Sequence, residues 1–470
     1  MEKFDFDLII IGGGAGAFAA AIRANELKAK TAMVNHGLPL GGTCVNVGCV
    51  PSKTLLWAGE VIHLAEHHGI PGIEFERKKF DFATVVKDEL ALVERLRAEK
   101  YEKVLKNLKH VTLIEGKATF ISANEVEVGG KRLRADQFII AAGSTANIPP
   151  IEDIQKVGYL THIEALKINK QPKSLIVLGA GPLGLEFAQM YSRFGTKVTV
   201  LQKGHSIFGK SESELENRLV EVLKQEGITV ITNVEVKSAH KQQGQKVLIY
   251  KKVAGKQAEV AAEEILLAAG KTANTAGLGL DKAGVKTDQR KAVAVSETFQ
   301  TSVPHIFAVG DVTNLPLRLE ITAGREGTLA AENALSGTKR SIDYNTVPYT
   351  IFTDPQLAGV GPTDAQAVEQ GFNCTCRTVS FQEVPRALIM RRTEGLIKMV
   401  ADNKTKRILG VHILSPQAGE LIAEAMMLVK NKNTIDDVEN SLPMFPTLSE
   451  AIKLAALSFT RDISKLSCCI

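Results

Sequence analysis

Two cysteines stand five positions apart in Gly41-Gly42-Thr43-Cys44-Val45-Asn46-Val47-Gly48-Cys49-Val50-Pro51-Ser52-Lys53. With no secretion signal ahead of it, such a pair points to redox catalysis or metal handling rather than to a structural staple. On a helix this spacing lies between one and two turns. The thiols therefore meet only if the turn is loosely wound, as Gly48 would allow. The other four cysteines form two more close pairs, Cys374/Cys376 and Cys468/Cys469. Adjacent cysteines close only a strained ring, so Cys468 and Cys469 read as two thiols able to hold a soft ion.

The elements around the first pair read as nucleotide-binding units. A short apolar strand over residues 6–11 runs into Gly12-Gly13-Gly14-Ala15-Gly16-Ala17 and an Ala-rich helix over 18–27. Gly12, Gly14, Ala15, Gly16 and Ala17 thus form a turn and a helix start that offer N–H groups to a pyrophosphate. A strand over 31–34 follows and ends at Asn35, where an acidic residue ordinarily holds a ribose. The pattern then recurs: strand 175–178, Gly179-Ala180-Gly181-Pro182-Leu183-Gly184, helix 185–194, strand 197–201 and Gln202. Asn35 and Gln202 each lie 23 positions after the first glycine of their motif. An internal repeat of this kind argues for two dinucleotides on one chain.

The thirteen residues 41–53 resemble the redox-active segment of the flavin-dependent disulfide reductases, and the resemblance runs over essentially the whole chain. Residues 116–120 (Gly-Lys-Ala-Thr-Phe) and 301–311 (Thr-Ser-Val-Pro-His-Ile-Phe-Ala-Val-Gly-Asp) resemble that family's flavin segments, and residues 348–360 the start of its interface domain. The resemblance implies an α/β protein of glutathione-reductase-like architecture: two Rossmann-like dinucleotide-binding domains and a C-terminal α+β dimerisation domain. The expected divisions are 1–150 (FAD, first part), 151–270 (NAD(P)H), 271–345 (FAD, second part) and 346–470 (interface). FAD would lie on the first motif with Gly42, Thr43, Lys117, Ala118, Ala142, Gly143, Ser144 and Asp311. The nicotinamide dinucleotide would lie on Gly179, Gly181, Gly184, Gln202, Lys203 and Gly270. By the same likeness Cys49 faces the flavin as a thiolate and Cys44 faces the substrate, while Lys53 and Glu186 pair beside the flavin. Gln202 is followed by Lys203, with His205 near, and no carboxylate stands at this strand end to repel a 2′-phosphate; NADPH is the expected reductant.

Family members that reduce disulfides carry His-x-x-x-x-Glu near the C-terminus, because leaving thiols need a base that titrates near neutral pH. Here Phe445 stands in the histidine's place, with Glu450 following. Loss of that base together with a Cys-Cys tail resembles the mercuric reductase branch, as does 384–388 (Val-Pro-Arg-Ala-Leu). Tyr101 matches one of that branch's two active-site tyrosines; Phe445 replaces the other. The branch implies that a thiol complex of Hg(II) is reduced to Hg(0), with Cys44, Cys49, Cys468 and Cys469 as metal ligands in a homodimer with shared active sites. Two rivals are a divergent disulfide reductase of the dihydrolipoyl type and a thiol-rich flavoprotein that sequesters metal without turnover.

The 470 residues, 44% apolar and 23% charged, suit a soluble protein of two to four domains. The net charge of +5 forms no basic run, so neither nucleic acid nor membrane is an expected partner. The expected location is cytoplasmic. His63, His67 and His68 read as a solvated helix end rather than a metal site. Cys374 and Cys376 have no family counterpart; they read as structural, their side chains expected on opposite faces if Cys374 already lies in the strand near 376–381.

Overall fold

A computed structural model describes residues 4–252 and 255–467. Apolar runs bounded by glycine turns build its first sheet. Phe6–Ile11 lies between Thr31–Asn35 and Lys131–Ile140, parallel to both, and Val111–Glu115 extends the sheet on one side. Leu8, Ile9 and Ile10 are fully buried, which is why this strand is apolar without alternation. Ile306–Ala308 pairs with Lys131–Ile140, so a segment far along the chain completes the first domain's sheet.

The second parallel sheet has the order Thr229–Ile231, Lys197–Leu201, Ser174–Leu178, Glu264–Leu267. The chain crosses into this region and back through two antiparallel segments, Ser144–Ala146 and Lys271–Ala273. The C-terminal part is a five-stranded antiparallel sheet with Cys374–Ser380 at one edge; Ala418–Lys430 and Glu450–Leu457 pack on it through Ile422, Ala425, Ile452 and Ala455. This is the expected α/β architecture. Among the described residues no helix is long and apolar enough to cross a membrane.

Several boundaries differ from expectation. The first nucleotide helix, Ala15–Glu26, starts inside the glycine motif, because small residues let it begin against the strand turn. The helix that leads to Tyr101 is interrupted. Phe82–Arg97 widens into a π-helical turn, Ala98–Glu102, before Lys103–Lys106. That turn carries Tyr101 edge-on to Phe18, ring centres 4.9 Å apart. The strand Cys374–Ser380 already contains Cys374, and the expectation of opposite faces for that pair fails. Side chains two apart on a strand share a face, and both cysteines pack beside Ala367, Val400 and Leu409.

Candidate active site

The redox segment folds as two helices rather than one loose turn. Gly42–Val47 ends at Gly48, and Cys49–His67 begins with the second cysteine. Gly48 is required for closeness: a Cβ there would fall 2.9 Å from the Thr43 carbonyl oxygen. The first helix is anchored by Asn46, whose Nδ2 donates to the carbonyls of Pro39, Leu40 and Gly42 at 3.1, 3.0 and 2.8 Å. Arg97 donates to Asn46 Oδ1 at 3.2 Å. Sequence reasoning passed over Asn46, although it lies within the motif.

The two thiols interact, and this interaction separates their acidities. The bond from Cys44 is the largest influence on Cys49; desolvation opposes it, Lys53 adds to it, and the Cys49 thiol is brought down to about 7. Cys44 is pushed up, first as the donor to Cys49 and then by burial. One sulfur of the pair is therefore half ionised at neutral pH while its partner holds its proton.

Lys53, one turn after Cys49, donates to Glu186 Oε2 at 2.7 Å. Glu186 is 5% exposed and also accepts from the Phe352 backbone N–H at 3.0 Å. Lys53 Nζ lies 4.7 Å from the centre of the Phe352 ring. Residues from all three parts of the chain thus meet behind the thiols. Tyr101 also belongs to this group: burial first, then the charges of Cys44, Glu320 and Cys49, push its hydroxyl up to about 12, so it is protonated at neutral pH. Glu320, which opens the helix Glu320–Ser336, acts on Cys44, Cys49 and Tyr101 alike, raising the pKa of each. No spacing in the sequence pointed to it.

The first glycine motif forms a cradle that side chains would fill. A Cβ at Gly12 would fall 2.2 Å from the Ala141 carbonyl oxygen, and Gly42, at φ +61°, lies against Gly14. The helix Ala15–Glu26 has no side-chain cap and no acidic residue in its first turn, leaving its N–H groups to a ligand. These residues fit the pyrophosphate of FAD. Ala142, Gly143 and Ser144 follow the central strand, and Ser144 Oγ donates to Asp311 Oδ2 at 2.6 Å, tying the two flavin segments together. Ala118 opens the edge strand Ala118–Ser122, with Lys117 just before it. Asn35 is buried, its Nδ2 donating to the Leu38 carbonyl at 3.2 Å and to Glu115 Oε2 at 3.4 Å. Glu115 brings to this strand end the carboxylate that position 35 lacks.

The second motif opens on a cleft of about 780 Å³ lined by Gly179, Gly181, Gln202, Lys203, Glu235 and Gly270 among others. The helix Pro182–Arg193 is likewise uncapped by any side chain. A Cβ at Gly184 would fall 2.0 Å from the Gly179 carbonyl oxygen. This bare turn and helix start fit a second dinucleotide. Gln202 and Lys203 both line this cleft, as expected of residues at the strand end. Gln202 is engaged within the protein: its Oε1 accepts from Ala180 N–H and its Nε2 donates to the Ser206 carbonyl, both at 3.1 Å. The cleft also holds a carboxylate, Glu235, paired with Lys237 at 2.6 Å.

Phe445 is 45% exposed, with Leu442 and Met444 more so. It lines a groove of about 430 Å³ with Glu450, Leu466 and Ser467. Glu450 accepts from the Thr447 backbone N–H at 3.1 Å. Cys468 and Cys469, the expected metal-delivering pair, lie outside the described residues. The histidine helix departs from a plain solvated end. His63 stacks on His67 at 4.4 Å and sits half-buried 3.8 Å from Glu226, its pKa lowered mainly by burial.

Residues 6–334 match the sequence profile of the pyridine nucleotide-disulphide oxidoreductases, and residues 347–456 match that family's dimerisation domain. A mercuric reductase of Staphylococcus aureus is 39% identical over 465 residues, covering 99% of this chain and 84% of that protein. One from Streptomyces lividans is 39% identical over 470 residues, covering 99% and 98%. Among solved structures, the HOCl-induced flavoprotein disulfide reductase RclA of Escherichia coli aligns with a TM-score of 0.85 at 26% identity, covering 97% of this chain and 100% of that one.

Proposed function

The chain belongs to the pyridine nucleotide-disulphide oxidoreductase family, and within it we propose that this protein reduces Hg(II) to Hg(0) at Cys44 and Cys49. It is an NADPH-dependent FAD oxidoreductase of the disulfide-reductase type, and the matched dimerisation domain supports a homodimer. In the proposed division, 1–150 and 271–345 hold FAD, 151–270 hold NADPH, and 346–470 form the interface. Bound FAD supplies the two-electron carrier between NADPH and the thiol pair.

The observation that carries the reading is the lack of a proton-relaying ring at position 445, beside an inner pair already biased toward one thiolate. Disulfide cleavage must protonate a leaving thiol, whereas converting Hg(II) to Hg(0) takes two electrons and no proton on the metal. Phe445 disables the first chemistry and leaves the second intact. Cys49, down to about 7, offers a thiolate without a neighbouring base. Cys44 gives up its proton when the metal binds, and soft thiolate sulfur suits a soft ion. Lys53 and Glu186 hold a fixed ion pair behind Cys49, and Tyr101 keeps a protonated hydroxyl near the pair. Cys468 and Cys469 take Hg(II) from a thiol complex and pass it by thiolate exchange to the inner pair of the opposite subunit. The name mercuric reductase carried by the relatives supports this assignment. An anaerobic assay tests it: NADPH oxidation and volatile mercury are followed with Hg(II) in excess thiol, then with lipoamide. Volatile mercury with NADPH loss is the expected result. NADPH loss with lipoamide alone would make the protein a disulfide reductase, and stoichiometric metal uptake without volatile product would make it a sequestering protein.

A further inference from the structure

Cys374 and Cys376 lie on the edge strand of the C-terminal sheet, away from the cofactor motifs in sequence and unused by the proposed reaction. Their side chains project from one face of Cys374–Ser380, side by side at roughly 7 Å between Cα atoms. Thr375 and Arg377 project from the other face, where Arg377 donates to the Ser458 carbonyl at 3.0 Å and lies over Phe459. Both sulfurs converge on Asp364: Cys374 Sγ lies 4.0 Å from its carbonyl oxygen and Cys376 Sγ 3.8 Å from its Oδ2. Asp364 Oδ2 is itself held by Lys398 at 2.7 Å, and the buried Lys398 ammonium also pairs with the buried Glu212 and the exposed Glu214. Both thiols are free and partly exposed. Among the described residues no group of three or more His, Cys, Asp or Glu side chains is arranged to hold a metal. A tetrahedral or octahedral cage is thereby excluded at this pair. What two parallel thiols can hold is a soft ion satisfied by two sulfurs, whose bis-thiolate geometry needs them about 4 to 5 Å apart, within reach of side chains turned toward one another.

We propose that Cys374 and Cys376 form a second dithiolate site, for a soft two-coordinate ion such as Hg(II) or Ag(I). Binding replaces two S–H bonds by two metal–sulfur bonds and releases two protons to solvent; nothing is oxidised or reduced. The test uses the full-length, FAD-loaded protein with Cys44, Cys49, Cys468 and Cys469 all changed to alanine, leaving only this pair. Hg(II) is offered by equilibrium dialysis against a competing monothiol at about 10 μM. One ion per subunit is expected. An effective concentration of about 1 mM for the second thiol makes either Cys374→Ala or Cys376→Ala weaken binding about 100-fold. Two ions per subunit, no binding, or equal affinity in the single-thiol variants would overturn the site. A second measurement needs no substitution. In the unmodified protein, increasing Hg(II) is expected to block alkylation of Cys374 and Cys376 together, read peptide by peptide; independent protection of the two would equally overturn it.

Discussion

Replacing Lys53 with methionine removes the cation one helical turn from Cys49 while keeping the length of the side chain. The two lie roughly 6 Å apart along the helix axis. Unit charges at about 6 Å interact by about 3 kcal/mol at an effective dielectric of about 20. The Lys53 side chain is 33% exposed, and solvent screening brings this to about 1.4 kcal/mol, or about one pKa unit. The sign is fixed. Lys53 lowers the Cys49 pKa, so its loss raises it from about 7 toward about 8. At pH 7 the thiolate fraction then falls from about one half to about one tenth. The assay is the long-wavelength thiolate–flavin absorption of the two-electron-reduced holoenzyme, titrated from pH 5 to 10. In the unaltered protein the band is lost as pH falls through about 7; in Lys53→Met it is lost about one unit higher. Glu186→Gln should move the midpoint the other way, because Glu186 raises the Cys49 pKa and glutamine still accepts from Phe352 N–H. Midpoints unchanged within about 0.3 unit in both variants would refute the claim that these two charges act on the Cys49 acidity.

Cys49→Ser should abolish the thiolate–flavin band together with turnover, and Cys44→Ser should keep the band and lose turnover; the reverse spectra would exchange the two roles. Lys203→Glu should weaken NADPH about tenfold while leaving NADH within about twofold, a difference of about 1.4 kcal/mol read from the ratio of kcat/KM values. Equal losses would remove Lys203 from the phosphate site. Glu320→Gln should lower both the Cys49 midpoint and the Tyr101 pKa, since Glu320 raises each; unchanged values in pH titrations of thiolate and tyrosinate absorbance would show that Glu320 does not act on the pair. A mixed dimer, one subunit lacking Cys44 and Cys49 and the other lacking Cys468 and Cys469, should keep about half the wild-type Hg(II) reduction if delivery is across the dimer. An inactive mixed dimer built from folded, flavin-loaded parents would place delivery within each subunit.

What could be read from the sequence is what short contiguous runs encode. Gly12 and Gly184 are demanded by backbone approaches that leave no room for a Cβ, and such demands recur at fixed offsets from a strand end. Cys44, Gly48 and Cys49 are equally local, because the kink that joins two helices is made by the residues between the thiols. Lys53 and Glu186 were legible only through likeness to a family, since 133 positions separate them and no periodicity links them. Charges that act through space were not legible at all. Glu320 influences three active-site groups from the start of a distant helix, and Glu235 reaches the nucleotide cleft from a strand of a separate antiparallel sheet. The same limit hid the hydrogen bonds that fix Gln202. Its position after the strand could be read, but not that its amide also binds Ala180 N–H and the Ser206 carbonyl. The charges at this end of the cleft are equally non-local: Lys203 and Glu235 both line it, and Lys237, paired with Glu235 at 2.6 Å, offsets the carboxylate's charge.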